Sequence, residues 1–237
     1  LARLDKERSA MTVYQSGTHR RSVLSLPVDR RLLADEFFLM AHHDVSGQLR
    51  VAPRIAGYGA TAAVLADLVV AGVLEVTPSG HLACPEPGVR LGGLERQIAA
   101  WVAAEPGQPV PVWLDVLADV SVPAIGQRLA DAGVVRPVRV RRLVTVRTVW
   151  EPTDMNVAAW PWARLSTRIG RGDRLDQFDS VLARLCAAVG VEGRFLGGEP
   201  RARQRLDRLL SPVPAQVDVL LWELSAAVGR AVLGGRT

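Results

Sequence analysis

Lysine is almost missing from this 237-residue chain: of 29 Lys and Arg residues, Lys6 is the only lysine. A Gly-rich phosphate loop needs a lysine behind its glycines, and neither Leu91-Gly92-Gly93-Leu94 nor Gly197-Gly198 offers one. Cysteine is as scarce. Cys84 and Cys186 stand far apart without ligand-like spacing, which excludes a disulfide framework and makes a reducing cytosol the expected compartment. Aromatic residues are 5% of the chain, too few to interleave with basic patches as stacking platforms for single-stranded nucleic acid do.

Histidine is limited to His19, His42, His43 and His81. Adjacent histidines cannot share a helix face as an i, i+4 metal pair does, so His42-His43 reads as a solvated helix end in contact with the helix dipole. Asp35 and Glu36 point about 100° apart on a helix, and read as a solvated stripe, not as paired acids. Ser46-Gly47 and Ser79-Gly80 are turn chemistry, not nucleophile elbows. With no catalytic constellation, metal-ligand set or cofactor loop, the sequence points to binding and not to catalysis.

Long apolar runs are also few. Leu1 to Arg21 is polar and basic with no apolar stretch behind it, so no signal peptide is expected. With Met11 following Leu1, either the start codon is unusual or the first ten residues are not native, and they are expected to be disordered. Ile55 to Val76 is nearly long enough to span a bilayer. Asp67 at its centre would cost about 2.5–3.5 kcal/mol there. The segment therefore reads as buried core, with Gly57 and Gly59 in a loop before a helix from Ala60 to Ala71.

What is present is an ordinary globular composition, 49% apolar and 22% charged, with a net charge of +5. The arginine bias is that of GC-rich coding and points to a bacterial source. Arginine also concentrates in three places. Arg136, Arg139, Arg141, Arg142 and Arg147 fall on or beside one β-ribbon between Val134 and Trp150, with the apolar residues on its other face and a turn near Arg141-Arg142. Arg164, Arg168, Arg171 and Arg174 form a second cluster, and Arg201, Arg203, Arg205 and Arg208 a third. Guanidinium forks suit phosphate, from lipid or from nucleic acid.

The remaining pattern is mainly helical. Residues 1–26 carry no periodicity and read as a disordered tail; Pro27 opens a helix with Leu33, Phe37, Met40 and Ala41 on one face. A short strand is expected over 48–51, and a small hairpin follows the buried helix through Pro78-Ser79-Gly80. Leu91, Leu94, Ile98, Trp101 and Val102 fall at helical spacing. Val112–Asp119 reads as a short helix, and Ser121 as the N-cap of another over Val122–Ala132 that Gly133 closes. Pro152 and Pro161 bound a loop carrying Trp160 and Trp162, expected to pack under the bundle, with exposed membrane-inserting anchors as the alternative reading. Leu175 to Val189 and Val217 to Val232 give two amphipathic helices, with Trp222 placed on the core face.

Together these segments resemble the Golgi phosphoprotein 3 family. Leu32-Leu33-Ala34-Asp35-Glu36-Phe37-Phe38-Leu39-Met40 and Asp44-Val45-Ser46-Gly47-Gln48-Leu49 are similar to its opening helix and aspartate–x–x–glycine turn. Residues 65–74 are similar to its buried central helix, and Gln127 to Val135 to the segment leading into its hairpin. The resemblance implies a mainly α, single-domain helical bundle over 27–235, ringed by amphipathic helices and carrying short β-hairpins. It also implies a peripheral protein of the cytoplasmic face that binds phosphatidylinositol 4-phosphate and the cytoplasmic tails of membrane proteins, with homo-oligomers formed through the hairpin. Ungapped matching puts the family's pocket tryptophan at Ala52, a pocket arginine at Thr61 and a basic pair at Asp119 and Val122, so none of the four is retained. Arg50, Arg54 and Arg128 lie nearby as candidates to rebuild an anionic-lipid site. The expected function is a peripheral adaptor for anionic lipid headgroups or a protein partner. The alternative is a winged-helix-like DNA-binding protein using Val122–Ala132 as recognition helix and the arginine ribbon as wing.

Overall fold

The most apolar segment of the sequence occupies the centre of the molecule. In the computed structural model, which describes residues 31–85, 92–142, 145–197 and 201–234, it forms helix α2 (Pro53–Val70), buried continuously from Ile55 to Ala66 and again at Leu68. The expected tail (1–26) and the helix start at Pro27 lie outside the described residues. Among those described, no helix is long and apolar enough to cross a membrane. What α2 lacks in a polar face it makes up in neighbours: α1 (Leu33–Ala41), α4 (Val110–Asp131), α6 (Gln177–Val189) and α9 (Ala215–Gly234) pack around it, α4 most extensively.

Helix α2 starts two turns earlier than expected, and Gly57 and Gly59 lie inside it. The reason is close packing and not loop flexibility. A Cβ on Gly57 would strike the backbone carbonyl of Ala118 in α4, and one on Gly59 would strike the Phe37 ring of α1. The helix closes at Gly72, whose φ of +72° leads into the hairpin of β1 (Glu75–Val76) and β2 (Leu82–Ala83), paired Val76 to Leu82. The strand expected over 48–51 reduces to one bridge between His42 and Leu49. Helix α3 (Gly93–Ala104) follows, its buried side holding Ile98, Trp101 and Val102; Leu91, expected on that face, lies outside the described residues.

The two helices expected on either side of Ser121 are one, α4, with Pro123 inside it. Ser121 is not an N-cap. Its side chain is buried against α2, where its hydroxyl meets that of Thr61 at 2.9 Å. Proline forfeits one helical N–H, but the buried face runs unbroken on both sides of it, through Trp113, Leu117, Val120, Ile125 and Leu129. Tertiary packing therefore outweighs the local break. Gly133 ends α4 with a φ of +75° as expected.

Strands β3 (Val135–Arg142) and β4 (Thr145–Pro152) form the predicted ribbon, antiparallel, in a register that pairs Arg142 with Thr145. The expected turn near Arg141-Arg142 is thus not within the paired strands, and the residues that join them lie outside the described set. Facing residues share a side of a ribbon. The register puts Arg139 with Thr148 and Arg141 with Val146 on one face, and Val140 with Arg147 and Arg136 with Glu151 on the other. The arginines therefore divide between both faces and do not oppose an apolar side, because they sit at odd and even positions alike. Trp150 anchors the ribbon's base: it is buried against Gly126 of α4, where a Cβ would strike the indole, and meets the Phe38 ring edge-on at 6.2 Å.

The loop expected between Pro152 and Pro161 is the start of helix α5 (Met155–Arg171), N-capped by Asp154, whose carboxylate accepts the Asn156 N–H at 2.7 Å. Pro161 is inside it and buried with Ala158, Leu165 and Ile169. Trp160 consequently faces outward, 61% exposed, and not under the bundle. Trp222 likewise departs from expectation. It lies off the stripe of Val217, Leu220, Leu221 and Leu224 that buries α9 and is 67% exposed. Two short helices, α7 (Gly193–Leu196) and α8 (Ala202–Leu209), pack against α5.

Candidate functional site

The three arginines expected at an anionic site stand in three separate ion-pair networks. Arg50 donates through Nε to the His42 carbonyl at 2.9 Å and through Nη2 to Asp44 at 3.2 Å. Arg54, on the first turn of α2, reaches Tyr58 at 3.0 Å and Asp115 of α4 at 2.6 Å. Arg128, near the end of α4, pairs with Asp35 of α1 and Glu95 of α3. None of these networks shares a partner with another.

The four positions where the resemblance puts pocket residues do not share one environment: Ala52 and Asp119 are exposed, Val122 is half-buried and Thr61 is buried. Ala52 flanks the start of α2, and Thr61 is fully buried against Ser121. The candidate recognition helix is the second half of α4, where Gln127 bonds Asp131 at 2.8 Å and Arg128 is held by Asp35 and Glu95. Arg128 is thereby committed inside the fold, whereas Gln127 is exposed.

Asp35 and Glu36 are not a solvated stripe. Glu36 is buried and pairs with Arg164 of α5, which also donates to Asp179 of α6 at 2.7 and 3.0 Å. Arg168 completes the set at 2.7 Å from Asp179 and 2.8 Å from Asp176. Asp179 is fully buried and receives both guanidiniums together. Two of the four arginines in that sequence cluster are thus committed to holding α1, α5 and α6 together.

His42 is also not solvated. It ends α1 buried, stacks on Phe38 with ring centroids 4.0 Å apart, and its Nδ1–H donates to the Phe38 carbonyl at 2.7 Å. Burial pushes its pKa down to about 4, so it is neutral and makes no charge–dipole contact. Among the described residues no group of three or more His, Cys, Asp or Glu side chains could hold a metal ion.

The hairpin differs from these paired arginines. Arg136 is held by Glu151 at 2.7 Å. Arg139, Arg141 and Arg147 are exposed and make no hydrogen bond or ion pair with the described residues, and Val140 and Val146 beside them are exposed too. The Arg142 backbone closes the register; its side chain lies outside the described set. Directly after the ribbon, the first turns of α5 leave Met155, Val157 and Trp160 exposed.

A second basic feature carries no signal in the local sequence. Arg194 of α7 reaches Asp44 at 2.6 Å, on the same carboxylate that holds Arg50, and lies over the Trp162 ring at 4.5 Å. Between these side chains and Gly190, Val191 and Gly193 is an open cavity of about 530 Å³.

No curated protein matches the chain. The family model described as Golgi phosphoprotein 3 (GPP34) matches residues 33–231, nearly all of the described fold, and the chain belongs to that family.

Proposed function

We infer that the chain is a peripheral adaptor that docks on anionic lipid surfaces through the β3–β4 hairpin. The observation that carries this reading is the hairpin's outer half, where Arg139, Arg141 and Arg147 are exposed without carboxylate partners and are interspersed with exposed Val140 and Val146. Arg128, Arg164 and Arg168 are instead neutralised by the fold's own acids. Exposed Arg171, Arg201, Arg205, Arg208 and Arg230 make no ion pair with the described residues either. The hairpin is distinguished by setting three such arginines beside exposed valines. Guanidiniums left unpaired on both faces of a ribbon present positive charge whichever face turns toward a surface. Each basic residue near an anionic membrane contributes about 1 kcal/mol, and the attraction weakens with salt. Met155, Val157 and Trp160 supply apolar and aromatic side chains of the kind that settle at headgroup level.

Phosphoinositide specificity, as the family resemblance implies it, has no support at Ala52, Thr61, Asp119 and Val122, so the lipid requirement expected here is negative charge. Capture of a protein partner, the other half of an adaptor's work, rests on family membership. Co-sedimentation of the whole chain with phosphatidylglycerol and phosphatidylcholine vesicles, with duplex DNA as competitor, tests the reading. Binding to the anionic vesicles alone, lost at high salt and resistant to DNA, is expected. Preference for DNA would return the winged-helix alternative.

A further inference from the structure

The cavity between Arg50, Arg194 and Trp162 has more donors than the fold uses. Among the described residues, Asp44 is the only carboxylate shared between the two guanidiniums, Oδ1 taking Arg50 and Oδ2 taking Arg194. Both arginines are largely withdrawn from solvent, at 15% and 23% side-chain exposure. Two cations over one anion leave a net positive charge. His43 next to them registers it: burial first, then Arg50 and Arg194, push its pKa below the usual histidine value. Arg50 registers it as well, its pKa lowered by burial and by Arg194 against the pull of Asp44. Glu192, flanked by two lining residues, gives Oε1 to Arg203 at 2.9 Å, and its Oε2 is a buried acceptor without a partner.

Hydrogen bonding shows the same surplus. Nε of Arg194 and Nε1 of Trp162, both on lining residues, are buried donors without partners. Unpaired buried donors are costly and rare in folded proteins. Neither guanidinium spends Nη1 on any described residue. Guanidinium forks match the oxygens of a phosphate, and a phosphomonoester is close to a dianion at pH 7. At about 530 Å³ the cavity is larger than a phosphate needs and falls within the range of small-molecule sites.

We propose that this cavity binds a phosphomonoester, with Arg50 and Arg194 as its charge partners and Trp162 as the platform that holds Arg194. The cavity's lining includes none of Ala52, Thr61, Asp119 and Val122 and no hairpin residue, so the proposal is tested separately from membrane docking. Asp44 acts here as an internal competitor that holds the guanidiniums in place while the cavity is empty.

The test is calorimetric titration of the whole chain with glycerol 3-phosphate, with glycerol as the neutral control. Arms with inorganic phosphate, phosphatidic acid vesicles and phosphatidylglycerol vesicles separate the sources of the phosphate. Saturable binding of glycerol 3-phosphate is expected, weakened about tenfold or more in Arg194→Gln by loss of charge-assisted hydrogen bonds. It should be unchanged when Arg139, Arg141 and Arg147 are all glutamine. Asp44→Asn removes the competitor and should tighten binding several-fold, a gain that a poorly folded variant cannot produce. Comparable affinity for inorganic phosphate identifies a free phosphate as occupant. Binding to phosphatidic acid that depends on Arg194, with binding to phosphatidylglycerol that does not, identifies a lipid headgroup. Absence of saturable binding in every phosphomonoester and phosphate arm, or binding that Arg194→Gln leaves intact, overturns the proposal.

Discussion

Asp67, in the middle of the central helix, accepts the backbone N–H of Leu33 at 3.0 Å, and its second oxygen takes that of Ala34 at 3.0 Å. Leu32, at the N-cap position of α1, has no side chain that could do this. One acid thus caps a helix that starts 34 residues before it. Asp67→Ala should cost about 1–3 kcal/mol by leaving two N–H groups of the first turn without their acceptor. Urea denaturation would measure it. A change within error would mean that water replaces the carboxylate without loss.

The same carboxyl gives the fold an unusual pH response. Burial lifts its pKa from 3.8 to about 7 against the two N–H bonds, with Glu95 adding to the rise and Arg128 opposing it. The folded chain therefore holds a proton there that the unfolded chain releases. That contribution to stability is complete below about pH 4 and is lost as pH rises through about 7. His42 works in the opposite sense. Depressed from 6.5 to about 4, it contributes fully above pH 6.5 and loses that contribution as pH falls through about 4. Asp67→Asn should leave the histidine slope uncompensated, so that thermal stability falls more steeply between pH 7 and 4 than in the unaltered chain. His42→Asn should flatten or reverse the slope. Parallel melting curves for all three proteins would show that neither group titrates in the fold.

Glycine inside α2 makes a prediction of inverted sign. In an exposed helix Gly→Ala gains about 1 kcal/mol, and Gly229 of α9, with open space around it, should follow that rule. Gly57→Ala should instead lose about 1–3 kcal/mol, because its Cβ meets the Ala118 backbone, which has no rotamer to yield. Gly59→Ala should lose less if the Phe37 ring can shift. Equal gains at all three positions would mean that the α2–α4 approach is looser than the structure shows.

The buried network of Glu36, Arg164, Asp179 and Arg168 should weigh far more than the surface pairs. Asp179→Ala strands two guanidiniums and should cost about 3–5 kcal/mol. Arg54→Ala, at a half-exposed pair with Asp115, should cost under about 1 kcal/mol. Chemical denaturation of the two variants side by side checks the ratio, and similar losses would contradict the assignment of Asp179 as a buried hub.

Segments whose evidence was local could be read from the sequence. The hairpins, the amphipathic α6 and α9 and the apolar α2 all follow from periodicity, and even the closing glycine Gly133 is where expected. The errors came where a local signal met a distant neighbour. Pro123 and Pro161 read as punctuation, yet α4 and α5 run through them because packing on both sides holds the helix. Gly57 and Gly59 read as loop, yet their absent side chains are what lets α4 and α1 approach. The charges were hardest. Asp35 finds Arg128 at a separation of 93 residues, Glu36 finds Arg164 at 128, and Asp44 finds Arg194 at 150. Pairings across such distances leave no trace in sequence spacing, so committed and uncommitted arginines looked alike.

The hairpin carries the central claim, and replacing Arg139, Arg141 and Arg147 with glutamine together tests it most directly. The variant keeps the ribbon's register and its Trp150 anchor, so circular dichroism and thermal melting should match the unaltered chain. Co-sedimentation with phosphatidylglycerol vesicles at low salt is then the measurement. At about 1 kcal/mol per arginine, the three substitutions should weaken vesicle binding by about a hundredfold. Undiminished binding by the folded variant would contradict the account and move the membrane contact to another face of the bundle.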